Sequence, residues 1–463
     1  MSTPPIGVVL AAGKGTRMRS ERPKVLHEAG GRPLLAWVLD AAREAGCSRI
    51  CVVVGHGARE IRERFAGAEN LVWVHQERQL GTGHALLQVR SVVDEACRLV
   101  VLSGDVPRVR AETIRDLVRA SEGRDGALAV AEMEEPGGLG RVVSDGHRLE
   151  RIVEASDATE EELAISRINA GLYALRAPEI FGYLEGLDPD NAQGELYLTD
   201  AVTRWAGEGE IVLYELGDPT EAIGVNDRSQ LAAAHRAILG ERRRRWMDAG
   251  VTLIAPSRVE IGPEVELSRD VELHPDVSLG GRTRIGRGAV IHQGSWIRDT
   301  RVGTGVEILP YSVLDGAEVG ADARVGPFAR LRPGAEIGPE AKIGNFVEIK
   351  ESRLAEGVKA SHLAYLGDAD VGAGVNIGAG VVTCNYDGER KHRTEIGPGA
   401  FVGSDTMLVA PVRVGRDAAT GAGSVISRDV PDGALGITRS RQRTVPDWTR
   451  RRRIADGDGE TEG

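Results

Sequence analysis

The sequence predicts two folds in one chain, an α/β domain followed by a parallel β-helix, and three observations support this prediction. Short aliphatic runs alternate with helical stretches over roughly the first half of the chain. From Ile261 to Ile426 an aliphatic residue recurs every six positions. A segment rich in helix-forming residues separates the two patterns. With 463 residues, the chain is long enough for two or three domains.

The first pattern predicts a sheet covered by helices. Predicted strands cover residues 6–10, 50–54 and 99–102, and the helices that follow them cover 34–45, 59–66 and 111–121. Alternation of this kind is typical of a parallel sheet in an α/β, Rossmann-like domain. We place this domain at residues 1–226.

The second pattern predicts the β-helix, because a period of six fits neither a helix nor an alternating strand. In such a solenoid each six-residue repeat supplies a short strand and a corner, and one aliphatic anchor points inward. An ordinary globular domain is the alternative, and so many consecutive repeats argue against it. Only Thr420 among the anchors is not aliphatic. The anchors are Ile261, Leu267, Leu273, Leu279, Ile285, Ile291, Ile297, Val302, Ile308, Leu314, Val319, Val325, Leu331, Ile337, Ile343, Ile349, Ile396, Val402, Leu408, Val414, Thr420 and Ile426.

The repeat is interrupted between Ile349 and Val371 and again between Val381 and Ile396. Both interruptions contain polar motifs, so we expect them to be loops that project from the sides of the solenoid. We place the β-helix domain at residues 251–439.

Between the two domains, residues 229–249 lack proline and follow Asn226 and Asp227, which are good helix caps. We expect a helical linker arm over 227–250, with the arginine run at 242–245 on a solvated helix face. Residues 440–463 are a charged tail that we expect to be disordered.

Composition excludes several classes of function. The net charge of −11 and an isoelectric point near 5.6 argue against a nucleic-acid surface. No stretch approaches the roughly 20 apolar residues that span a bilayer, and no basic flank precedes the apolar run at 6–12, so we expect a cytoplasmic protein without a membrane partner. The four cysteines show no metal-binding spacing, which favours reduced thiols.

A glycine-rich turn with positive charge follows the first strand. The motif is LAAGKGTRM at residues 10–18, with Pro23 and Lys24 shortly after it. Such a turn exposes backbone N–H groups to a phosphate chain, and Arg17 and Lys24 add fixed charge. The motif is neither a dinucleotide fingerprint nor a Walker A loop. The whole string resembles the sugar-1-phosphate nucleotidyltransferase family.

Further motifs match this family in the right order: Gln76, the QLGTGHA string at 79–85, SGDVP at 103–107 and GVND at 224–227. Gly13 and Asp105 both fall at carboxyl ends of strands, where open α/β sheets bind ligands. Asp105 is a suitable oxygen ligand for Mg²⁺, and the resemblance implies Asn226 as the second ligand. The alternative for Asn226 is a simple helix cap.

The resemblance also implies a nucleotide and sugar pocket of the uridylyltransferase branch. Ser103 and Ala170 stand where relatives often have Tyr and Thr, which puts only details of nucleotide contact in doubt. The implied reaction is attack of a sugar 1-phosphate on the α-phosphorus of UTP, in which positioning and charge neutralisation by Mg²⁺, Arg17 and Lys24 supply most of the catalysis. The implied pocket residues are Leu10, Ala11, Ala12, Gly13, Lys24, Gln76, Gly81, Thr82, Ser103, Gly104, Asp105, Gly140, Glu154, Asn169 and Asn226.

The motifs in the two interruptions extend the resemblance to both domains. They are SHLAYLGD at 361–368 and TCNYDG at 383–388, and RLRPG at 330–334 precedes them. Over residues 5–440 the chain resembles the bacterial bifunctional N-acetylglucosamine-1-phosphate uridylyltransferase/glucosamine-1-phosphate acetyltransferase family. This implies a nucleotidyltransferase domain followed by a left-handed hexapeptide-repeat β-helix, in a homotrimer that makes UDP-N-acetylglucosamine for peptidoglycan and lipopolysaccharide synthesis.

The resemblance implies a role for each polar residue of the second domain. Acetyl transfer from acetyl-CoA to the amine of glucosamine 1-phosphate requires a base, and histidine titrates in the right range, which makes His362 the candidate. A lone loop histidine is otherwise more often a surface residue. The implied sugar-phosphate site consists of Arg332, Lys350, Tyr365, Asn376, Asn385, Tyr386 and Lys391, and the implied acetyl-CoA groove of Ala379, Ser404, Ala422 and Arg439.

Lysine usage supports these assignments. The chain has 58 lysines and arginines together, of which only six are lysines. A lysine in so arginine-rich a chain suggests a site that needs a compact point charge. Lys14, Lys24, Lys350 and Lys391 all lie in or beside the motifs above.

Two alternatives remain open at this stage. One is a single-activity nucleotidyltransferase whose β-helix only oligomerises or regulates, although a scaffold has no reason to keep His362 with Asn385 and Tyr386. The other is a structural solenoid with a vestigial first domain, against which Lys24, Asp105 and Asn226 argue.

Overall fold

The computed structural model describes residues 4–93, 96–438 and 440–455. The chain divides into two compact units between Glu241 and Arg242. This boundary lies inside the helix Arg228–Asp248, where the sequence predicts a helical arm. Among the described residues, no helix combines the length and the apolar character needed to cross a membrane.

The first unit is built on one sheet of nine strands. Its strands, with a small hairpin formed by β2 and β3, are β1 Ile6–Ala11, β2 Glu28–Ala29, β3 Arg32–Pro33, β4 Ile50–Val54, β5 Leu71–His75, β6 Cys97–Ser103, β7 Gly126–Glu132, β8 Arg141–Asp145, β9 Arg148–Val153, β10 Arg167–Ala177 and β11 Ile211–Glu215. Its helices are α1 Leu34–Glu44, α2 Ala58–Arg64, α3 Thr82–Leu87, α4 Ala111–Ala120, α5 Glu160–Leu163, α6 Glu179–Glu185, α7 Leu198–Glu208 and α8 Arg228–Asp248. Short 3-10 turns cover Thr16–Met18, Lys24–Leu26, Gln88–Ser91 and Pro219–Ala222.

The strand order is β5-β4-β1-β6-β10-β7-β11-β9-β8. Strands β5, β4, β1 and β6 are parallel, and two apolar clusters form the core around the sheet. The three strands that the sequence predicts, β1, β4 and β6, are parallel as expected, and beyond β6 the sheet continues with β10, which runs antiparallel to both β6 and β7. The direction of β10 depends on a return of the chain across the sheet, which a local pattern does not encode.

The second unit is a solenoid of three parallel sheets, which we call face 1, face 2 and face 3. Face 1 consists of Thr252–Leu253, Glu272–Leu273, Val290–Ile291, Glu307–Ile308, Arg324–Val325, Lys342–Asn345, Lys359–His362, Asn376–Ile377, Phe401–Val402, Ala419–Thr420 and Leu435–Gly436. Face 2 consists of Glu260–Ile261, Ser278–Gly280, Trp296–Arg298, Val313–Asp315, Arg330–Leu331, Glu348–Lys350, Tyr365–Gly367, Val382–Cys384, Met407–Val409 and Val425–Ile426. Face 3 consists of Glu266–Leu267, Arg284–Ile285, Arg301–Val302, Glu318–Val319, Ala335–Ile337, Ser352–Leu354, Ala369–Val371, Thr394–Ile396 and Val412–Val414.

All predicted anchors of the repeat are buried, which confirms the assignment of one inward residue per hexad. Thr420 is also buried, and its hydroxyl is satisfied within the core. It accepts from the backbone N–H of Gly403 at 3.0 Å and lies 3.1 Å from the hydroxyl of Thr406. A buried hydroxyl is tolerated when it is hydrogen-bonded.

The irregularities of the repeat all lie at one edge of the solenoid. One-residue slips occur between Ile297 and Val302 and between Leu314 and Val319, and each lies at the corner from face 2 to face 3. Because the slip occurs at a corner, the strands on both sides keep their inward and outward positions.

The prediction of a loop between Ile349 and Val371 is wrong. The strands Ser352–Leu354, Lys359–His362 and Tyr365–Gly367 continue the solenoid there, with Leu354, Ala360 and Leu366 as the inward residues. The period of six is hard to see in this segment for two reasons. One inward residue is an alanine, Ala360, and the corners before Leu354 and before Val371 are each one residue shorter. Only the second interruption contains an excursion, between Cys384 and Thr394, where Tyr386 and Lys391 pair as an isolated bridge.

The segments that flank the solenoid differ from the predictions. Arg242 donates to the carbonyl of Ile261 at 2.6 Å and Arg243 to that of Pro256 at 2.6 Å, so part of the arginine run binds the first coil and is not only solvated. The tail is helical over Trp448–Ala455 (α9), with the guanidinium of Arg452 5.5 Å from the ring centroid of Trp448. The prediction of disorder therefore does not hold over Trp448–Ala455. Residues 456–463, which the same prediction covers, lie outside the described part of the chain.

All four cysteines are free thiols. Burial raises the pKa of Cys47 to about 12 and that of Cys51 to about 11.

Candidate active sites

A cleft of about 530 Å³ opens at the carboxyl ends of β1 and β6. The glycine-rich turn after β1 forms one wall, and residues 76–85, which follow β5 and begin α3, form another. This is the edge where open α/β sheets bind ligands. The lining residues that the sequence predicts are Leu10, Ala11, Ala12, Gly13, Lys24, Gln76, Gly81, Thr82, Ser103 and Asp105, and the cleft is also lined by Lys14, Val25, Gln79, Ala85 and Glu195.

The two predicted metal ligands converge on one cation. The ammonium of Lys24 forms an ion pair with the Asp105 carboxylate and donates to Oδ1 of Asn226 at 3.0 Å. Carboxylate and amide oxygens are the donors that Mg²⁺ prefers, and two protein ligands suffice because phosphate oxygens and water fill the rest. No group of three or more His, Cys, Asp or Glu side chains in the described residues could hold a metal. The donor set thus fits Mg²⁺ shared with a phosphate ligand.

Helix α8 is capped by Asp227, which leaves Asn226 free for the site. The Asp227 carboxylate accepts from the backbone N–H of Gln230 at 2.8 Å, and the Gln230 side chain accepts from the backbone N–H of Asn226 at 2.7 Å. This arrangement satisfies the helix terminus without the Asn226 side chain. The simple-cap alternative for Asn226 is therefore excluded by the geometry.

Gly15 allows the turn to approach Lys24 closely. Its φ is +60°, and a Cβ added there would lie 2.7 Å from Cβ of Lys24. Any other residue would displace the lysine from the cleft. Arg17 is exposed on the 3-10 turn, outside the residues that line the cleft.

The wall after β5 is held by a buried amide. The side-chain N–H of Gln76 donates to the carbonyl of Gly81 at 3.1 Å and lies 2.9 Å from Nδ1 of His84. Partial burial lowers the pKa of His84. Gly104 closes the opposite side, where its N–H donates to the carbonyl of Leu10 at 2.9 Å and joins β6 to β1.

The predicted sugar residues form a second group around β10. A β-bulge between Asn169 and Tyr173 turns the strand, and the Asn169 amide donates to the Tyr173 hydroxyl at 2.7 Å. The backbone N–H of Asn169 donates to the carbonyl of Gly140 at 2.9 Å. Glu154 accepts from the Thr199 hydroxyl at 2.9 Å, and burial raises the pKa of Glu154. This group offers neutral and acidic hydrogen-bonding partners suited to a polyol.

In the second unit, three cations gather at the corner from face 2 to face 3. Lys350 ends a strand of face 2, Arg332 follows the strand of the preceding coil, and Lys391 comes from the excursion. The nearby charge of Lys391, and then that of Arg332, lowers the pKa of Lys350. Such repulsion is relieved by a bound anion, so the cluster is suited to a phosphate.

Tyr365 and Asn385 lie beside this cluster. The Asn385 amide donates to the Asp368 carboxylate, and the contact with Lys350, followed by the charge of Asp368, raises the pKa of Lys391. Gly367 makes room for both side chains, because a Cβ there would lie 2.8 Å from Nδ2 of Asn385. Glu348 accepts from Arg332 at 2.9 Å and fixes that guanidinium.

His362 is exposed at the corner from face 1 to face 2. Its Nδ1 lies 2.7 Å from Oδ1 of Asn345, which occupies the same position one coil earlier. An amide oxygen only accepts, so Nδ1 carries the hydrogen, and the lone pair of the neutral ring lies on Nε2. This is the tautomer that a general base needs.

His362 belongs to a column of residues that occupy the same corner in successive coils. We call Asn345, His362, Ala379, Ser404 and Ala422 the corner column. Each lies two positions after the inward residue of a face 1 strand, and the following residues are linked coil to coil by bonds such as Gly380 N–H to Leu363 O at 2.8 Å and Asp405 N–H to Ala379 O at 2.7 Å. After His362 the corner column contains only small side chains, Ala379, Ser404 and Ala422.

Three residues that the sequence predicts for the acetyltransferase site are not found in the cation cluster or the described part of the corner column. Asn376 begins a face 1 strand, opposite Lys359, away from the cation cluster. Tyr386 is 62 % exposed in the excursion. Arg439 lies outside the described residues.

Sequence reasoning missed three side chains of these sites. Asn345 and Glu348 lie in an ordinary repeat, where a polar residue is expected on the outer surface, and Asp368 was treated only as part of a motif. An alignment of successive coils would have found them, since Asn345 and His362, and Asp368 and Asn385, lie 17 residues apart, and Arg332 and Glu348 lie 16 residues apart.

Comparisons with known proteins agree over nearly the whole chain. The model of the MobA-like NTP transferase domain matches residues 7–249, and that of the bacterial transferase hexapeptide (six repeats) matches residues 316–351. Bifunctional protein GlmU of Alkalilimnicola ehrlichii is 47% identical over 445 residues and 96% of each chain. GlmU of Ralstonia nicotianae is 47% identical over 448 residues, 96% of this chain and 98% of its own. Among solved structures, a UDP-glucose pyrophosphorylase complexed with UDP-glucose is matched over 52% of this chain and 100% of its own at 20% identity, with a TM-score of 0.44.

Proposed function

Because the chain belongs to the family of bifunctional GlmU proteins, we propose how its residues divide the two activities of that family. The chain is a UDP-N-acetylglucosamine diphosphorylase and a glucosamine-1-phosphate acetyltransferase. Its fold is a nucleotidyltransferase unit followed by a left-handed parallel β-helix. Glucosamine 1-phosphate is acetylated first, in the second unit, and the product then receives UMP in the first.

In the first unit, the cleft after β1 and β6 holds UTP with the glycine-rich turn around its phosphates. The phosphate oxygen of N-acetylglucosamine 1-phosphate attacks the α-phosphorus, and the bond to the leaving pyrophosphate breaks. Lys24 neutralises charge on the phosphates, and Glu154 and Asn169 orient the sugar. Mg²⁺, held by Asp105 and Asn226, would supply further neutralisation of the triphosphate when bound.

In the second unit, Arg332, Lys350 and Lys391 hold the phosphate of glucosamine 1-phosphate. His362 Nε2 takes the proton of the substrate ammonium, and the free amine attacks the thioester carbonyl of acetyl-CoA. The new C–N bond gives a tetrahedral oxyanion, the C–S bond then breaks, and the second proton of the nitrogen passes to the sulfur, so that coenzyme A leaves as the thiol. Tyr365 and Asn385, which lie beside this cluster of cations, orient the sugar and the oxyanion.

The corner column is the observation that carries this assignment. The candidate base is aligned there with Ala379, Ser404 and Ala422. If acetyl-CoA lies along this column, its thioester group comes next to His362. A scaffold that only oligomerises has no need of a histidine in the corner column whose Nδ1 is hydrogen-bonded to Asn345.

One assay tests the proposal. Purified protein is given glucosamine 1-phosphate, acetyl-CoA, UTP and Mg²⁺, and free thiol and pyrophosphate are followed separately. We expect thiol release without UTP, and pyrophosphate release from glucosamine 1-phosphate only when acetyl-CoA is present. Pyrophosphate release without any thiol release would instead favour a single-activity nucleotidyltransferase.

We further propose that the protein is a homotrimer in the cytoplasm and that its product enters peptidoglycan and lipopolysaccharide synthesis. The support for assembly is a ridge of apolar side chains next to the corner column. Tyr311, Phe328, Phe346 and Leu363 are 48–58 % exposed, and the rings of the first three stack at 5.4 and 5.5 Å. All four have positive φ, a strained conformation for bulky residues. Burial against a second copy explains this arrangement.

The ridge leads to a prediction about assembly. We expect Phe328→Asp with Phe346→Asp to convert the trimer to monomers in light scattering, because charges replace the apolar contact. Aspartate tolerates this backbone, since Asp276 and Asp405 occupy the same corner with φ of 60° and 53°. Thiol release should fall while pyrophosphate release continues. An unchanged molar mass would contradict the assignment of the ridge.

Asn345 leads to a prediction about positioning. We expect Asn345→Ala to lower kcat for acetyl transfer about tenfold, less than loss of the base itself, because the ring and tautomer of His362 are no longer fixed. Asn345→Asp should restore the acceptor and, as a nearby anion, raise the pKa of His362. The neutral base then forms at higher pH, so the acidic limb of the kcat profile moves upward. An unshifted limb in Asn345→Asp would contradict the role.

A further inference from the structure

The second unit contains a cationic cavity that neither proposed activity uses. It has a volume of about 430 Å³ and lies where the end of α8 meets the first coils of the solenoid. The side chains of Arg242, Arg245, Arg282 and Arg284 line it together with the indole of Trp246.

Charge in this cavity is opposite to that of the protein. Four guanidinium groups face two carboxylates there, although the whole chain has a net charge of −11. Arg284 is paired with Glu266 at 3.1 Å. The remaining excess of positive charge lies within a concave surface, where low-dielectric walls strengthen its field.

The cavity is held in shape by its neighbours. The guanidinium of Arg242 is anchored on the carbonyl of Ile261 at 2.6 Å, and that of Arg245 lies 5.9 Å from the ring centroid of Trp246. Trp246 packs against the apolar core of the solenoid. Cations fixed in this way lose less conformational entropy on binding than cations on free side chains.

We propose that this cavity is a binding site for the phosphate chain of a nucleotide or polyphosphate. Planar guanidinium groups match phosphate oxygens in pairs, and the indole offers a surface for an attached base. The volume is in the range of small-molecule sites. The ligand class is defined by the phosphate chain, and a base adds affinity through the indole.

The test is calorimetric titration of the full-length protein with tripolyphosphate, in EDTA and at constant ionic strength. We expect Arg245→Gln with Arg282→Gln to remove one class of sites, or to weaken it at least about tenfold, which corresponds to about 1.4 kcal/mol. The matched control is Arg244→Gln, an exposed arginine of the same helix that does not line the cavity. Thiol and pyrophosphate release should stay at wild-type rates in both the double variant and the control, which shows that they fold.

Titration with UTP identifies the source of the phosphate. Equal affinity for UTP and tripolyphosphate means that the chain of phosphates is recognised, and tenfold tighter binding of UTP that is lost in Trp246→Phe means that a nucleotide is recognised. The proposal is overturned if the double variant binds tripolyphosphate as the wild type does. It is also overturned if Arg244→Gln loses as much affinity as the double variant, because the effect would then be one of overall charge.

Discussion

Replacement of Asp105 by alanine should lower pyrophosphate release by at least about 10²- to 10³-fold, the range for loss of one charge-stabilising group. The Asp105 carboxylate is the only acidic group that contacts Lys24 among the described residues, and with Asn226 it offers the oxygen pair that suits Mg²⁺. Its loss removes both the predicted metal ligand and the partner of a half-buried ammonium. Pyrophosphate release is measured with UTP, N-acetylglucosamine 1-phosphate and Mg²⁺.

The same variant should release thiol from acetyl-CoA at nearly the wild-type rate, since His362 and the cation cluster belong to the other unit. Asp145→Ala is the matched control, because Asp145 is an exposed aspartate of the same unit outside the cleft. Equal loss of both activities in Asp105→Ala would contradict the division of the two sites between the units.

The second large effect concerns His362. We expect His362→Ala to lower acetyl transfer by about 10²- to 10⁴-fold, the usual contribution of a positioned general base. The hydrogen bond from Nδ1 to Asn345 leaves Nε2 of the neutral ring as the proton acceptor. Thiol release is measured from pH 6 to 9, and uridylyl transfer to N-acetylglucosamine 1-phosphate should continue unchanged.

Acetyl-CoA binding should change little in His362→Ala, because the predicted role is proton transfer and not contact with the coenzyme. His274→Ala is a suitable control, since His274 is a half-buried histidine of the same unit that hydrogen-bonds to Glu272 on face 1. Wild-type acetyl transfer by His362→Ala at neutral pH would show that His362 is a surface residue and that the amine reaches the site already neutral.

Several parts of this protein could be predicted from the sequence. The period of six identified every inward residue of the regular coils, because each repeat makes one strand and one corner and its contacts lie in the adjacent coils. The rarity of lysine also pointed to residues of the candidate sites. Lys14 and Lys24 line the cleft of the first unit, and Lys350 and Lys391 meet in the cation cluster of the second. In each case the signal is local in the sequence.

Other parts required the tertiary structure. The antiparallel course of β10, the strands of the 349–371 segment and the contact of Asn345 with His362 all depend on which segments become neighbours. The six-residue repeat predicts that a residue points outward, but it does not predict which residue of the adjacent coil lies next to it. One-residue slips at the corners change the number of residues per coil. Vertical neighbours are therefore decided by the summed lengths of the coils, and the sites of this protein are built from vertical neighbours.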